Sequence, residues 1–139
     1  MITRHKFFTI IIILLFISNV VTGCSTKPTN KQAKYDLQKW LETRWPNTLS
    51  IIEYEKTKEE GDDKKHTIYY QAKVQFIKDT EGCERTCCGE ICFDRLINEF
   101  RWISKKSNDP NIIRKGDLFE MHGRDTFSKT EKSWITETF

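Results

Sequence analysis

The stretch HTIYYQAKVQFIK, residues 66–78, decides how the rest of the chain is read. Ile68, Tyr70, Ala72, Val74 and Phe76 fall on one parity, while Tyr69, Gln71, Lys73 and Gln75 fall on the other. Successive side chains of a strand point to opposite faces, so the alternation predicts a strand with one apolar and one largely polar face. Sheets with one solvated face are antiparallel, and their apolar face has to be covered by another layer. That cover is legible upstream, in NKQAKYDLQKWLETRWP at residues 30–46. Ala33, Leu37, Trp40 and Leu41 recur there at helical spacing, with Lys34, Gln38, Lys39 and Glu42 elsewhere around the axis. Asn30 is placed to cap the start, and Pro46 forbids continuation past Arg44 or Trp45.

Working outward, TLSIIEYEKT (48–57) reads as a strand joined to the first by KEEGDDKK (58–65), a charged turn around Gly61. IIRKGDLFEMHGRDTF (112–127) and KSWITETF (132–139) read as two further strands, after the loop SNDPN. Between the strand pairs, EICFDRLINEFRWISKK (90–106) places Phe93, Leu96, Ile97, Phe100 and Ile103 at helical spacing. Glu90 and Asp94 lie early and Lys105 and Lys106 late, which suits a helix dipole. The β-branched and aromatic content of residues 90–104 leaves a strand open as the other reading. The expected fold class is therefore α+β: an N-terminal helix packed on a four-stranded antiparallel sheet, with a Cys-rich loop and a second helix inserted between strands 2 and 3. This outline resembles cystatin-like rolls in architecture alone, and such a likeness carries no function. The Gln-x-Val-x-Gly loop of cystatin-type protease inhibitors is missing, since Gln71-Ala72-Lys73-Val74-Gln75 lies inside a strand.

The first 30 residues have a different physics. Arg4, His5 and Lys6 precede an apolar run from Phe7 to Ile17 that is interrupted only by Thr9. A spanning helix needs roughly 20 predominantly apolar residues, and continuing this run takes in Ser18 and Asn19. It therefore reads as a targeting segment, with small residues near its cleavage site. Val21-Thr22-Gly23-Cys24 resembles the lipobox of bacterial lipoproteins. The resemblance covers residues 1 to about 30. It implies a signal peptide at 1–23, cleavage between Gly23 and Cys24, covalent lipid on Cys24, a tether at 24–30 and a single small α+β domain at 31–139. It also implies residence in the bacterial cell envelope, lipid-anchored in the bilayer. Ser25 stands where an Asp would signal inner-membrane retention in that class, which favours the outer membrane. Each buried methylene of an acyl chain adds about 0.8 kcal/mol of membrane affinity, so two or three chains hold a protein essentially permanently.

Charge narrows the function further. The chain carries 23 basic and 20 acidic residues, and Arg4 and Lys6 leave with the leader, so the mature chain has a net charge of +1. Such a balance lacks the concentrated basic footprint of a nucleic-acid binder. No Gly-x-Ser-x-Gly, phosphate loop or dinucleotide fingerprint occurs. The carboxylates of Glu59, Glu60, Asp62 and Asp63 fall in the charged turn and read as solvated. His66 and His122, the histidines after the leader, have no ligand partner at short spacing and read as surface or edge residues. Most of the four Trp, four Tyr and nine Phe residues read as core.

CERTCCGEIC, residues 83–92, holds Cys83, Cys87, Cys88 and Cys92. With Cys24 taken by lipid, an even number remains for an oxidising compartment, and two structural disulfides are expected. A bond between Cys87 and Cys88 is disfavoured, because adjacent Cα atoms sit about 3.8 Å apart and ordinary bridges span about 4.4–6.8 Å. The pairings left are 83–87 with 88–92, or 83–88 with 87–92. Four thiolates also suit zinc, but the spacing is not that of two separated knuckles, and no Cys-x-x-Cys redox motif occurs. The expected function is thus a non-enzymatic envelope binding module without cofactor, metal or catalytic residues. Tyr69, Gln71, Lys73 and Gln75 form its candidate binding face, for an envelope protein or cell-wall ligand. The alternatives are a periplasmic redox or metal protein using the Cys cluster, and an anchoring subunit of a secretion or conjugation machine.

Overall fold

A computed structural model describes residues 27–137. Helix α1 (Asn30–Arg44) is capped one residue earlier than expected: Thr29, not Asn30, is the N-cap, its Oγ1 accepting from the Gln32 N–H at 3.1 Å. The helix ends as expected before Pro46, with the Trp45 N–H donating to the Leu41 carbonyl at 2.8 Å. Ala33, Leu37 and Leu41 are fully buried against the sheet.

The long hairpin β1 (Leu49–Gly61) and β2 (Lys65–Phe76) supplies the centre of that sheet. Its turn is built by Asp62, whose Oδ1 accepts from the N–H groups of Lys64 and Lys65 at 2.8 and 2.9 Å. β2 carries the expected alternation: Ile68, Tyr70, Ala72, Val74 and Phe76 are buried, and the residues between them are half-buried. β1 does not alternate simply, because the register slips after Ile51 and again after Lys56, leaving Ile52 and Thr57 as extra residues. Each β-bulge changes which parity faces inward. Tyr54 and Lys56 therefore join the helix side, and after the second slip Glu59 does so.

His66 is consequently buried rather than at the surface, with its Nε2 3.4 Å from Glu59 and its ring against Trp134. Glu59 is not a freely solvated turn residue either. Hydrogen bonds from Lys56 and His66 pull its carboxyl down to about 2.

The segment after β2 corrects the expected second helix. Following β3 (Thr80–Glu81), the Cys-rich loop is a small hairpin of β4 (Cys83–Thr86) and β5 (Gly89–Cys92). Only Phe93–Leu96 is helical (α2), and Phe100–Ser104 forms strand β6. Glu99 between them has φ 56, outside helical space. The strand wins because Phe100 and Trp102 pair with Met121 and Phe119 and pack on the aromatic core, while Ile103, expected inside, is 43% exposed.

The strand expected at 112–127 is likewise divided. β7 (Ile112–Ile113) pairs with β3, and β8 (Leu118–Lys129) starts after a turn at Gly116, φ 92. Buried Asp117 holds this turn, accepting from the N–H groups of Lys106 and Arg114. β9 (Trp134–Thr136) completes a five-stranded antiparallel sheet rather than a four-stranded one. Its order is β1-β2-β8-β6, with β6 and β9 sharing the far edge of β8 at opposite ends. Under α1 lie Phe76, Phe93, Phe100, Trp102 and Phe119, with ring centroids 4.7–6.1 Å apart for the contacting pairs, in keeping with the expected core role of the aromatics.

Candidate functional site

The face of the sheet turned away from α1 carries the predicted set. Tyr69, Gln71, Lys73 and Gln75 line up along β2 on this face, each half-buried by its neighbours. Across the ladder, Lys73 stands opposite Glu53 on β1 and Glu120 on β8, and Glu120 stands opposite Arg101 on β6. Opposite charges thus alternate across four strands, as cross-strand pairing favours.

Glu120 is the hub of this face. Its side chain is 7% exposed, and it accepts from Gln71 Nε2 at 2.6 Å and from Arg101 Nη2 at 3.0 Å. His122 Nε2 lies 3.0 Å from the same carboxylate. The hydrogen bond with His122, followed by that from Gln71 and the positive charge of Arg101, holds the Glu120 carboxyl below the ordinary glutamate range against the opposing effect of burial. On the β1 side, Lys73 Nζ is 2.6 Å from Glu53, and Glu53, Tyr54, Glu55, Gln71 and Lys73 border a cleft of about 420 Å³. Tyr69 donates to Glu60 at 2.6 Å beneath the Lys58 ammonium. Gln75, the fourth predicted residue, stands opposite Ser50 and Leu118, away from the charged centre.

Glu120, Arg101 and His122 lie outside the predicted set. Glu120-x-His122-x-Arg124 places three polar groups at strand spacing, a signal as clean as that of β2, but it sits in a strand whose two faces both carry mixed residues. Arg101 falls in the segment expected to be helical. Chemically the face offers fixed acceptors and donors of both signs. Among the described residues, its Glu–His pair has no nucleophilic hydroxyl or thiol among its hydrogen-bond partners.

The cysteines are arranged otherwise than expected. Cys83 and Cys92 face each other at the base of the β4–β5 hairpin and form a disulfide. Cys87 and Cys88 occupy the turn, their Sγ atoms 3.2 Å apart and both exposed. Both favoured pairings are thus replaced, because register brings 83 and 92 together. Disfavouring an 87–88 bond removes the 83–92 pair as well only if all four cysteines must be bridged, and they are not. Base and turn cysteines are four residues apart along each strand, about 13 Å, so the four sulfurs do not converge on one zinc. The metal-ligand cluster found among the described residues is Cys83, Glu90 and Cys92, and its two sulfurs are already bonded to each other.

The lipid-attachment and cleavage expectations at Gly23 and Cys24 lie outside the described residues. Among the described residues no helix is long and apolar enough to cross a membrane. No family model, curated protein or solved structure matches the chain.

Proposed function

We propose that this chain is a non-enzymatic, lipid-tethered binding module of the bacterial cell envelope, which engages a polar protein or cell-wall partner through the outer face of its sheet. The observation that supports this reading is the network around Glu120. Donors from three strands hold one nearly buried carboxylate, while Glu53, Arg101 and His122 keep 62%, 74% and 43% of their side-chain surface exposed. A rigid centre inside an exposed charged rim suits recognition of a polar surface, because ordered groups lose little further entropy on binding. The anchor follows from the lipobox resemblance at Cys24, and would hold the module at the membrane while its partner is reached from the tether.

Site-specific photocrosslinking in cells tests the reading. A photoreactive residue replacing Arg124, on the outer face, is expected to trap a discrete partner. The same residue at Tyr35, exposed on α1, is expected to trap none. Equal labelling at both positions, or none at either, overturns the outer face as the binding surface. A mature N-terminus without acyl mass on Cys24, weighed on the detergent-extracted protein, overturns the anchor.

A further inference from the structure

Two thiols stand side by side at the tip of the β4–β5 hairpin. Cys87 and Cys88 form its two-residue turn between Thr86 and Gly89, with Sγ atoms 3.2 Å apart, well beyond an S–S bond of about 2.05 Å. Gly89 follows with φ +133, as a glycine after a tight turn accommodates, and among the described residues nothing lies within 4 Å of the position a Cβ there would take. Cys87 and Cys88 are both exposed, so a bulky ligand can reach the tip. At the base, the Cys83–Cys92 disulfide prevents the two strands from separating and keeps the turn in place.

Soft thiolates select soft centres, and the spacing narrows the choice. At about 2.3 Å per metal–sulfur bond, sulfurs this close subtend roughly 90° at a bound atom. A linear two-coordinate ion would need them about 4.6 Å apart, and tetrahedral zinc wants four ligands where the tip offers two. An angle near 90° belongs to a pyramidal trivalent centre, whose lone pair compresses its bond angles. We propose that Cys87 and Cys88 form a vicinal-dithiol chelate for a soft trivalent metalloid of the arsenic(III) class. With an organic arsenic(III) oxide the step is a condensation: two As–S bonds form, the bonds from arsenic to its oxide oxygen break, and the two thiol protons leave with that oxygen as water. Arsenic stays trivalent and sulfur stays reduced, so no oxidant is consumed.

The test uses the full chain extracted in detergent without reductant, with 4-aminophenylarsine oxide as the probe and intact mass as the readout. Two alkylatable thiols are expected before treatment and none after it. One arsenical per chain is expected, resistant to excess monothiol and released by a dithiol. Cys87→Ser and Cys88→Ser should each weaken binding by about 100-fold, the loss expected when a chelate becomes a single contact. The double variant Cys83→Ser/Cys92→Ser should still take up the probe. Absence of titratable thiols at 87 and 88, an adduct that survives in both single variants, or release by monothiol each overturns the proposal.

Discussion

Gln38 completes the hydrogen bonding of the edge strand at Ile51: its Oε1 accepts from the Ile51 N–H at 2.9 Å while its Nε2 donates to the Leu49 carbonyl at 3.0 Å. A helix side chain thereby supplies what a neighbouring strand would have supplied, and shields part of an open sheet edge. At the opposite edge Gln32 donates to the Trp134 carbonyl of β9 at 2.6 Å. Two glutamines six residues apart on α1 thus hold both borders of the sheet, in addition to the apolar contacts of Leu37 and Leu41.

The first prediction concerns this clamp. Gln38→Ala leaves a backbone donor and acceptor of β1 without their partner, and should destabilise the fold by about 1–3 kcal/mol. Gln38→Glu keeps an acceptor for Ile51 but offers none of the donation to Leu49, so it should fall between the two. Urea midpoints of the three proteins check the order. An alanine variant as stable as the parent would show that solvent replaces Gln38 without loss.

A second prediction follows from Asp125, which has no exposed surface and, among the described residues, no hydrogen-bond partner for either carboxylate oxygen. Burial, and then the nearby Asp36 carboxylate on α1, push its carboxyl up to about 7 from 3.8. Tyr54 and Tyr70, on β1 and β2, are pushed upward by burial and by Asp125 in turn. Between about pH 4 and pH 7 the folded chain keeps a proton at Asp125 that the unfolded chain has lost. Stability from this residue therefore falls as pH rises through that window, and stays low above it. At about 1.4 kcal/mol per pKa unit the full effect is on the order of 4 kcal/mol. Asp125→Asn should gain on the parent progressively from pH 4.5 to pH 8 in urea unfolding. Parallel profiles for the two proteins would refute the buried-acid account.

Tyr70 and Gly123 face each other across β2 and β8, and the ring lies over the glycine as a substitute for its missing side chain. A Cβ on residue 123 would overlap the Tyr70 hydroxyl oxygen and come within 2.6 Å of the ring carbon that bears it. Gly123→Ala should accordingly cost about 1–3 kcal/mol through overpacking. In a Tyr70→Leu background the same change should cost less, and a double-mutant cycle measures the difference. Additive costs would mean that the ring does not exclude a methyl group there.

Whether an element is legible in the sequence depends on whether local pattern or long-range register decides it. β2 is readable because it lies inside the sheet with unbroken alternation, and α1 because its apolar stripe and Pro46 are local features. β1 hides Tyr54 and Glu59 behind two bulges, which change parity without any residue that announces them. Residues 100–104 carry an apolar spacing that suits a helix equally well. Only the chance to pair with Phe119–Met121, roughly twenty residues on, makes them a strand. On the outer face the β2 residues are legible, but Glu120 is not, since its importance comes from Gln71 and Arg101 on two other strands. A buried Asp125 with unpaired oxygens leaves no trace in composition at all.

The last prediction concerns the Cys-rich hairpin. The Cys83–Cys92 bond closes a short loop, and Cys83 itself is buried, with the Phe93 N–H donating to the neighbouring Gly82 carbonyl at 2.7 Å. Phe93 in turn packs on Trp45, Phe76, Phe100 and Phe119, so the staple fixes the entry of α2 into the aromatic core. Chain-entropy reasoning for a loop of about ten residues puts the loss on opening it at about 2–3 kcal/mol. Cys83→Ser with Cys92→Ser should show that loss in urea unfolding, and dithiothreitol should reproduce it in the parent. Cys87→Ser with Cys88→Ser, at the exposed turn, should stay within about 0.5 kcal/mol of the parent, as surface changes do. If the turn pair proves the more costly to remove, the stabilising bridge lies among other cysteines, and Cys83 does not stand opposite Cys92 in the hairpin.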